Sequence, residues 1–160
     1  MKRKKIVTNK KVRNATQITY DNIQFKSKLE VYCYKKLKEA NIDFKYEKDT
    51  FELMEKFEYP NICYESFKDG KKWSMGEKTN KIRPIRYTPD FTNLKDKWII
   101  ECKGNANDIF PVKWKMFKHF IYVNNLHYNL YLPKNQRHVD ECIQHILKEV
   151  YGREEILSGK

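Results

Sequence analysis

Two short stretches of the chain place acidic and basic side chains inside runs that otherwise have the character of β-strands. The first, YTPDF at 87–91, carries Asp90, and the second, IIECKG at 99–104, carries Glu101 and Lys103. Charged residues are depleted in strand interiors, and Glu or Lys is rarely buried without a partner. These charges therefore predict either a sheet face that borders solvent or a functional site.

The two stretches are expected to form an antiparallel hairpin, because only the polar turn TNLKDK separates them. Side chains alternate along a strand, so Glu101 and Lys103 point to one face of the sheet and Cys102 points to the other. Asp90 would then lie at the same end of the sheet as Glu101 and Lys103.

Two convergent carboxylates form an oxygen-rich site that suits a hard divalent cation. Mg²⁺ is usually held by one or two carboxylates and several waters, so Asp90 and Glu101 are predicted ligands, with the backbone carbonyl of Cys102 at the same edge. Mn²⁺ is expected to substitute for Mg²⁺. Lys103 would position the attacking water, assist its deprotonation or stabilise charge that develops on a phosphate. Without Asp90, the E-x-K pair would indicate no more than two solvated neighbours.

The elements around these stretches predict a mixed α/β domain. Helical periodicity predicts three helices, over KSKLEVYCYKKLKEANI at 26–42, DIFPVKWKMFKHFIYVNN at 108–125 and VDECIQHILKEVY at 139–151. Besides the hairpin, alternation predicts strands in DFKYEKDTFELM at 43–54 and in HYNLYLP at 127–133. The predicted fold class is α/β, with a central mixed β-sheet flanked by helices.

Residues 21–160 are expected to form a single domain. The chain has 160 residues, of which 14% are aromatic, which suits one folded domain with a real core. Between about residues 55 and 80 the periodicity weakens, and Asp69-Gly70 predicts an inserted hairpin that turns there and is followed by a polar loop.

The net charge of +12 is concentrated at the start of the chain. The first fourteen residues contain seven Lys or Arg, and no acidic residue precedes Asp21. A flexible basic arm over residues 1–20, ahead of a basic domain, is typical of a protein that binds nucleic acid, although a solubilising tail has the same composition. The predicted DNA-binding residues lie on this arm and on the first two helices: Lys4, Lys5, Lys10, Lys11, Arg13, Lys26, Lys113, Lys115 and Lys118.

Composition also excludes several classes of protein. No stretch approaches the roughly 20 apolar residues that cross a bilayer, so no membrane partner is expected. The four cysteines contain no C-x-x-C pair, which favours reduced thiols in a cytoplasm over a zinc ribbon or a secreted disulfide framework. No small-molecule cofactor is expected.

The combined motifs resemble those of the PD-(D/E)xK nucleases. TPDF with Asp90, followed by IIECKG with Glu101 and Lys103, matches the motif itself. The upstream pattern F-x-S-x-x-E, which ends at Glu30, is similar to the phage endonuclease I resolvases and related phage-encoded nuclease families, in which a helix-borne glutamate joins the metal site. The order of these features covers roughly residues 20–133.

This resemblance implies a restriction-endonuclease-like nuclease core and Mg²⁺-dependent hydrolysis of phosphodiester bonds in DNA. In the resolvase branch it also implies a homodimer that acts on four-way Holliday junctions or other branched DNA, in the host cytoplasm if the chain is phage-encoded. Asp90, Glu101, Lys103 and Glu30 would be the catalytic residues. The longer middle segment and the C-terminal helix depart from the resemblance, which leaves two alternatives: a restriction-type or repair-type endonuclease, sequence-specific or nicking, and a non-catalytic DNA-binding module.

Glu30 also has a structural explanation. Ser27 and Glu30 form the S-x-x-E pattern of a capping box, in which the serine caps the helix and the glutamate reaches back to a backbone amide. On a helical wheel Glu30 lies about 20° from Leu37, at the edge of the apolar stripe, so it could also point toward the sheet. The sequence leaves both roles open.

Overall fold

The computed structural model describes residues 17–78, 80–104 and 109–152. The described residues form two compact units, one drawn from Met1–Asp49 and Pro89–Lys160 and the other from Thr50–Thr88. We call them unit one and unit two. The chain is mixed α/β, as predicted, and the insertion predicted at about 55–80 falls inside unit two.

Unit one contains every helix of the described chain: α1 Lys28–Glu39, α2 Phe110–Val123 and α3 Gln136–Tyr151. Its strands are β1 Ile18–Tyr20, β2 Ile23–Phe25, β3 Lys45–Tyr46, β10 Phe91–Asn93, β11 Trp98–Ile100 and β12 Asn129–Tyr131. The strands of unit two are β4 Phe51–Met54, β5 Phe57–Glu58, β6 Tyr64–Asp69, β7 Lys72–Glu77, β8 Lys81–Ile82 and β9 Ile85–Tyr87. Within the described ranges, no helix has the length and apolar character needed to cross a membrane.

The main sheet of unit one has the strand order β12-β11-β10-β3. β10 and β11 form the predicted antiparallel hairpin, and its turn is fixed by the Asn93 side chain, which accepts from the Asp96 amide at 2.9 Å. β12 pairs with β11 in parallel, with Ile99 beside Leu130. A parallel neighbour requires a long crossover connection, which α2 provides.

The core of unit one lies between this sheet, α1 and α3. Phe91, Trp98 and Ile100 are fully buried on the face that meets the two helices. The helices contribute Cys33, Leu37, Val139, Ile143 and Ile146 to the same cluster. Full burial of each large apolar side chain stabilises the fold by about 1.5–3 kcal/mol, so this cluster anchors the end of the sheet where the charged residues lie.

The first helix ends at Glu39, three residues before the end of the predicted segment. Asn41 adopts a left-handed conformation with a φ of 51°, and the Ile42 amide donates to the Leu37 carbonyl at 3.0 Å. This is a Schellman-type ending, in which Asn can replace the usual Gly.

The second helix carries Pro111 in its first turn, as predicted. Phe110, Trp114, Phe117 and Ile121 are its buried residues, which confirms the predicted stripe. The Lys103 ammonium lies 4.7 Å from the centre of the Phe110 ring. The helix therefore begins on the sheet face that carries Lys103.

Two predicted strands are broken into pieces. In 43–54, Glu47 has a φ of 47°, which ends β3, and β4 begins later in unit two. In IRPIRYTPDF, β9 pairs with β4 and β10 pairs with β11, so the two halves belong to different sheets. Alternation predicted a continuous strand over 43–54 because Glu47 is not a usual strand breaker.

The lead-in segment ITYDNIQ forms a small hairpin of β1 and β2. Asp21 and Asn22 have φ values of 53° and 59°, which is the requirement of a type I′ turn. β1 falls at the end of the predicted basic arm, of which residues 1–16 lie outside the described residues.

Unit two consists of three two-stranded sheets, β4-β9, β5-β8 and β6-β7. The hairpin of β6 and β7 turns at Asp69-Gly70, as predicted. Gly70 has a φ of 56°, which glycine adopts at no steric cost, so the residue type fits the turn.

Candidate functional site

Asp90 lies immediately before β10 and is only 7% exposed. Its Oδ2 atom accepts a hydrogen bond from the Cys102 amide at 2.7 Å. Its carbonyl accepts from the Glu47 amide at 2.9 Å. These two bonds fix Asp90 between the chain that leaves β3 and the chain that leaves β11.

Glu101 and Lys103 follow the last residue of β11, where ladder-like hydrogen bonds to the β12 segment continue. The Glu101 amide donates to the Tyr131 carbonyl at 2.9 Å, and the Lys103 amide donates to the Pro133 carbonyl at 3.0 Å. The two backbones are thus held in an extended, strand-like course. Lys103 Nζ lies 3.7 Å from Glu101 Oε1, so the two side chains share a face as predicted.

Cys102 has the opposite orientation. Its side chain is 6% exposed and belongs to the core cluster with Cys33 of α1. A hydrogen bond with Cys33 and burial raise the pKa of the Cys102 thiol well above its ordinary value. This confirms that the thiol faces away from the acids, while the Cys102 carbonyl as a metal ligand stays a prediction.

Glu30 is a capping residue of α1 and also points toward the sheet, while a catalytic role for it stays a prediction. Ser27 Oγ accepts from the Glu30 amide at 3.2 Å and donates to Glu30 Oε1 at 2.7 Å, which makes Ser27 the N-cap of α1. Glu30 Oε2 accepts from the Lys26 amide at 2.9 Å and from the Tyr46 hydroxyl at 2.7 Å. Glu30 is therefore a capping residue that also points inward to β3, and it is 4% exposed.

The electrostatics of Asp90 show that the acids lie close together. Burial raises the pKa of Asp90 well above its ordinary value, and the negative charges of Glu101 and Glu30 raise it further. The hydrogen bond from the Cys102 amide favours the charged form and opposes this shift. The charged form of Asp90 is therefore disfavoured in the free protein, and a bound cation would favour it.

Two residues that sequence reasoning did not assign to the site also lie there. The Glu47 carboxylate forms an ion pair with the Lys26 ammonium, and it contributes to the raised pKa of Asp90. The Tyr46 hydroxyl donates to Glu30, and burial, that hydrogen bond and the charge of Glu30 raise the pKa of Tyr46. Alternation placed both residues in a strand, but only the pairing of β3 with β10 brings that strand beside Asp90.

Lys26 was predicted to bind DNA, and the structure gives it a contact within the protein. Burial lowers the pKa of Lys26, but the hydrogen bond and charge of Glu47, together with the charges of Asp90 and Glu30, raise it above its ordinary value. Its side chain is 66% exposed despite the ion pair. A positive group therefore stands at the rim of the acidic site.

The other predicted DNA-binding residues fall into two sets. Lys4, Lys5, Lys10, Lys11 and Arg13 lie outside the described residues. On α2, Lys115 and Lys118 are exposed and Lys113 is half-buried. The Lys118 ammonium lies 5.6 Å from the centre of the Trp114 ring. DNA binding by all of these residues stays a prediction.

Asp90 and Glu101 are the side chains that could hold a metal ion here. Among the described residues, no group of three or more His, Cys, Asp or Glu side chains has an arrangement that could hold one. Two carboxylates fit the chemistry of Mg²⁺, which takes few protein ligands and keeps several waters. Glu30, whose oxygens accept three hydrogen bonds from Ser27, Lys26 and Tyr46, is better placed to orient the site than to bind an ion directly.

The comparison with known protein families gives one match over most of the chain. The profile of the family described as Protein of unknown function (DUF1064) matches residues 10–136, which are 127 of the 160 residues. The chain belongs to this family. Glu30, Asp90, Glu101 and Lys103 all lie inside the matched region. No curated protein and no solved structure matches the chain.

Proposed function

We propose that this protein is a Mg²⁺-dependent DNA endonuclease of the PD-(D/E)xK type, with branched DNA such as a Holliday junction as its substrate. The observation that carries the proposal is the arrangement of Asp90, Glu101 and Lys103. Cys102, which lies between Glu101 and Lys103 in sequence, donates its amide hydrogen to Asp90. Lys103 Nζ lies 3.7 Å from Glu101 Oε1. A buried acid whose pKa is raised by burial and by neighbouring carboxylates, beside a lysine, is typical of a functional site.

The order of elements in unit one supports a nuclease core. α1 with Glu30 comes first, the strands with Asp90 and Glu101 follow, and α2 and the parallel strand β12 come next. This is the order that the resemblance to the endonuclease I resolvases implies. Glu30 and Asp90 are far apart in sequence but interact electrostatically, so the fold brings these two parts of the chain near each other.

In the proposed reaction, water attacks a DNA phosphate and the bond to one of the sugar oxygens breaks. Asp90 and Glu101, with the Cys102 carbonyl, would hold Mg²⁺, which when bound acts as a Lewis acid and lowers the pKa of water. Mn²⁺ is expected to substitute, because carboxylate and carbonyl oxygens suit both ions.

Lys103 would contact the phosphate and the attacking water. Its side chain is 30% exposed while that of Glu101 is 7% exposed, so the ammonium faces the side from which a DNA strand would arrive. A lysine ammonium in that place stabilises the negative charge that develops on the phosphate oxygens. Glu30 would keep α1 and β3 in register through Ser27 and Tyr46.

The choice of branched DNA depends on the resemblance and on charge. The net charge of +12, with seven Lys or Arg in the first fourteen residues, supports a partner that is bound through its phosphate backbone. A four-way junction needs two cuts, and one site per chain then requires a twofold homodimer. A linear duplex cut by a restriction-type or repair-type enzyme is the alternative within the same chemistry.

The proposal is tested by cleavage of two DNAs of the same sequence, an immobile four-way junction and a linear duplex, with Mg²⁺ and with EDTA. We expect wild type to cut the junction in Mg²⁺, and Asp90→Asn to bind it without cutting. Asp43→Asn, which removes an exposed carboxylate of the same unit, is the matched control and should cut as wild type does.

The outcomes separate the alternatives. Equal cutting of both DNAs would contradict the preference for branched DNA and leave the nuclease. Binding without cutting of either DNA by wild type would contradict the enzyme and favour a DNA-binding module.

A further inference from the structure

The hairpin of β6 and β7 in unit two presents large apolar side chains to solvent. Trp73 is 71% exposed, and Tyr64 and Met75 are each 65% exposed. Apart from Gly76, every residue from 64 to 77 is exposed. Single exposed apolar residues are common, but several on one short ribbon indicate a surface that binds something.

The register of the two strands places these side chains together. Residues paired across an antiparallel ladder share a face, and the pairs Lys68 with Trp73, Ser66 with Met75 and Tyr64 with Glu77 alternate with the other three. Trp73, Met75 and Tyr64 are therefore on one face of the hairpin.

The opposite face of the hairpin is partly covered by the side chain of Phe67. A Cβ atom at Gly76 would lie 2.9 Å from Cε1 of Phe67, so the Phe67 ring lies over the glycine. Phe67 is accordingly 37% exposed, about half the value of Trp73. The rings of Trp73 and Tyr64 are therefore more exposed than the ring of Phe67 on the opposite face.

The end of the hairpin beside Trp73 is basic. Lys68 shares the face of Trp73, and Lys71 lies in the turn after Gly70, whereas Lys72 pairs with Asp69 on the opposite face; all three lysines are exposed. The far end of the face with Trp73 carries Glu77, opposite Tyr64. Positive charge is therefore placed next to Trp73, the most exposed ring of the hairpin.

We infer that this hairpin tip binds unpaired nucleic-acid bases, with Trp73 stacking on a base and Lys68 and Lys71 contacting the flanking phosphates. An exposed aromatic ring beside clustered cations is the combination that binds single strands, because every base has a face to stack on and every linkage carries a negative charge. Trp and Lys together also suit this ligand better than a purely apolar partner, since burial of the lysines against apolar surface would be unfavourable.

Base binding by the hairpin extends the proposed function, and it rests on that function for the choice of DNA as the nucleic acid. A strand exchange point or branch offers bases that are less firmly stacked than those of a continuous duplex. The hairpin would hold such bases, while cleavage is the task of the acidic site in unit one.

The three tryptophans of the chain make the test direct. Trp98 is fully buried and Trp114 is 8% exposed, so Trp73 is the tryptophan that a ligand can reach. The protein carries Asp90→Asn to prevent cleavage, and the probe is a thymidine single strand of about 12 nucleotides, within the range of common single-strand sites. The single strand should quench tryptophan emission, and the matched duplex should quench it less.

Variants identify the ring responsible. In the same background, Trp73→Phe should abolish the quenching, and Trp73→Ala should weaken binding of a labelled strand by about fivefold or more, as expected for loss of one stacked base. Tyr122→Ala removes another exposed ring, 81% exposed on α2, and should leave affinity unchanged. Circular dichroism of each variant checks that it is folded.

Two results would overturn the inference. One is binding of the strand with no change in Trp73 emission and no loss of affinity in Trp73→Ala. The other is a shift of Trp73 emission with protein concentration in the absence of DNA, which would make the hairpin a contact between copies of this chain. Failure of wild type to cut DNA, with Trp73 quenching intact, would reject the nuclease and keep the hairpin as a binding surface.

Discussion

The acidic site of unit one and the hairpin of unit two depart from the usual burial pattern in opposite directions. Asp90 and Glu101 are charged residues that are at most 7% exposed, whereas Trp73 is a large apolar residue that is 71% exposed. Charged groups normally lie at the surface, and large apolar side chains are normally buried. Departures of both kinds are typical of places where a protein binds a ligand.

The two regions would bind different kinds of ligand. The acidic site is rigid, because the Cys102 and Glu47 amides hold Asp90 on two sides. It therefore suits a small ion and a single phosphate. The hairpin presents its groups on an open face, which suits an extended strand bound by stacking and charge.

The largest expected effect is on the free energy of unfolding, when a tryptophan of each region is replaced. Trp98→Ala should lower the free energy of unfolding by about 3–5 kcal/mol, because it empties a fully buried site in the core of unit one. Trp73→Ala should change it by no more than about 0.5 kcal/mol, as for most surface substitutions. Urea denaturation followed by circular dichroism measures both, and equal effects would contradict the contrast between the regions.

Glu101→Gln should reduce the rate of Mg²⁺-dependent cleavage by about a hundredfold to a thousandfold, the usual range for loss of one electrostatic group at a reacting centre. The replacement keeps the size of the side chain and removes its charge. Gel assays of junction cleavage at saturating DNA measure the rate. Glu65→Gln, on the exposed hairpin, is the control that should leave the rate constant unchanged.

Asp90→Asn should stabilise the metal-free protein at neutral pH, because it removes a buried carboxyl group whose charged form is disfavoured in the folded state. The folded state keeps the Asp90 proton to a higher pH than the unfolded state, because burial and Glu101 raise the pKa. The stability of wild type therefore falls as the pH rises from about 4 through that raised pKa. Thermal melts in EDTA across this range should show a smaller fall for Asp90→Asn, and parallel curves would contradict the assignment.

The smallest effect concerns the helix cap. Ser27→Ala removes both hydrogen bonds between Ser27 and Glu30 and should lower the free energy of unfolding by about 1 kcal/mol. Ser74→Ala, at an exposed position of the hairpin, should have no measurable effect. If the two serines gave the same result, the capping role of Ser27 would be rejected.

The sequence predicted the regular parts of the molecule because their patterns are local. The helical pattern of α2 and the turn at Asp69-Gly70 follow from periodicity and residue type, and the structure confirms them. The hairpin that carries Asp90 and Glu101 was predictable for the same reason.

The parts that could not be predicted depend on long-range pairing. No local signal shows that Glu47 ends β3 or that β3 lies beside β10, so the positions of Tyr46 and Glu47 near Asp90 were missed. The dual role of Glu30 also required the fold, because its capping bonds are local and its bond to Tyr46 is not. Alternation likewise predicted strands in unit two but not which face of the hairpin is open.

The proposed reaction requires that Asp90 and Glu101 together bind a divalent cation. Electron paramagnetic resonance of Mn²⁺ tests it directly, because the signal of the free ion decreases when the ion binds. We predict that wild type removes free Mn²⁺ signal, that added Mg²⁺ restores it by competition, and that Asp90→Asn and Glu101→Gln each remove much less while Asp43→Asn behaves as wild type does. Equal binding by wild type and both site variants, or no binding by wild type with or without junction DNA, would contradict the account.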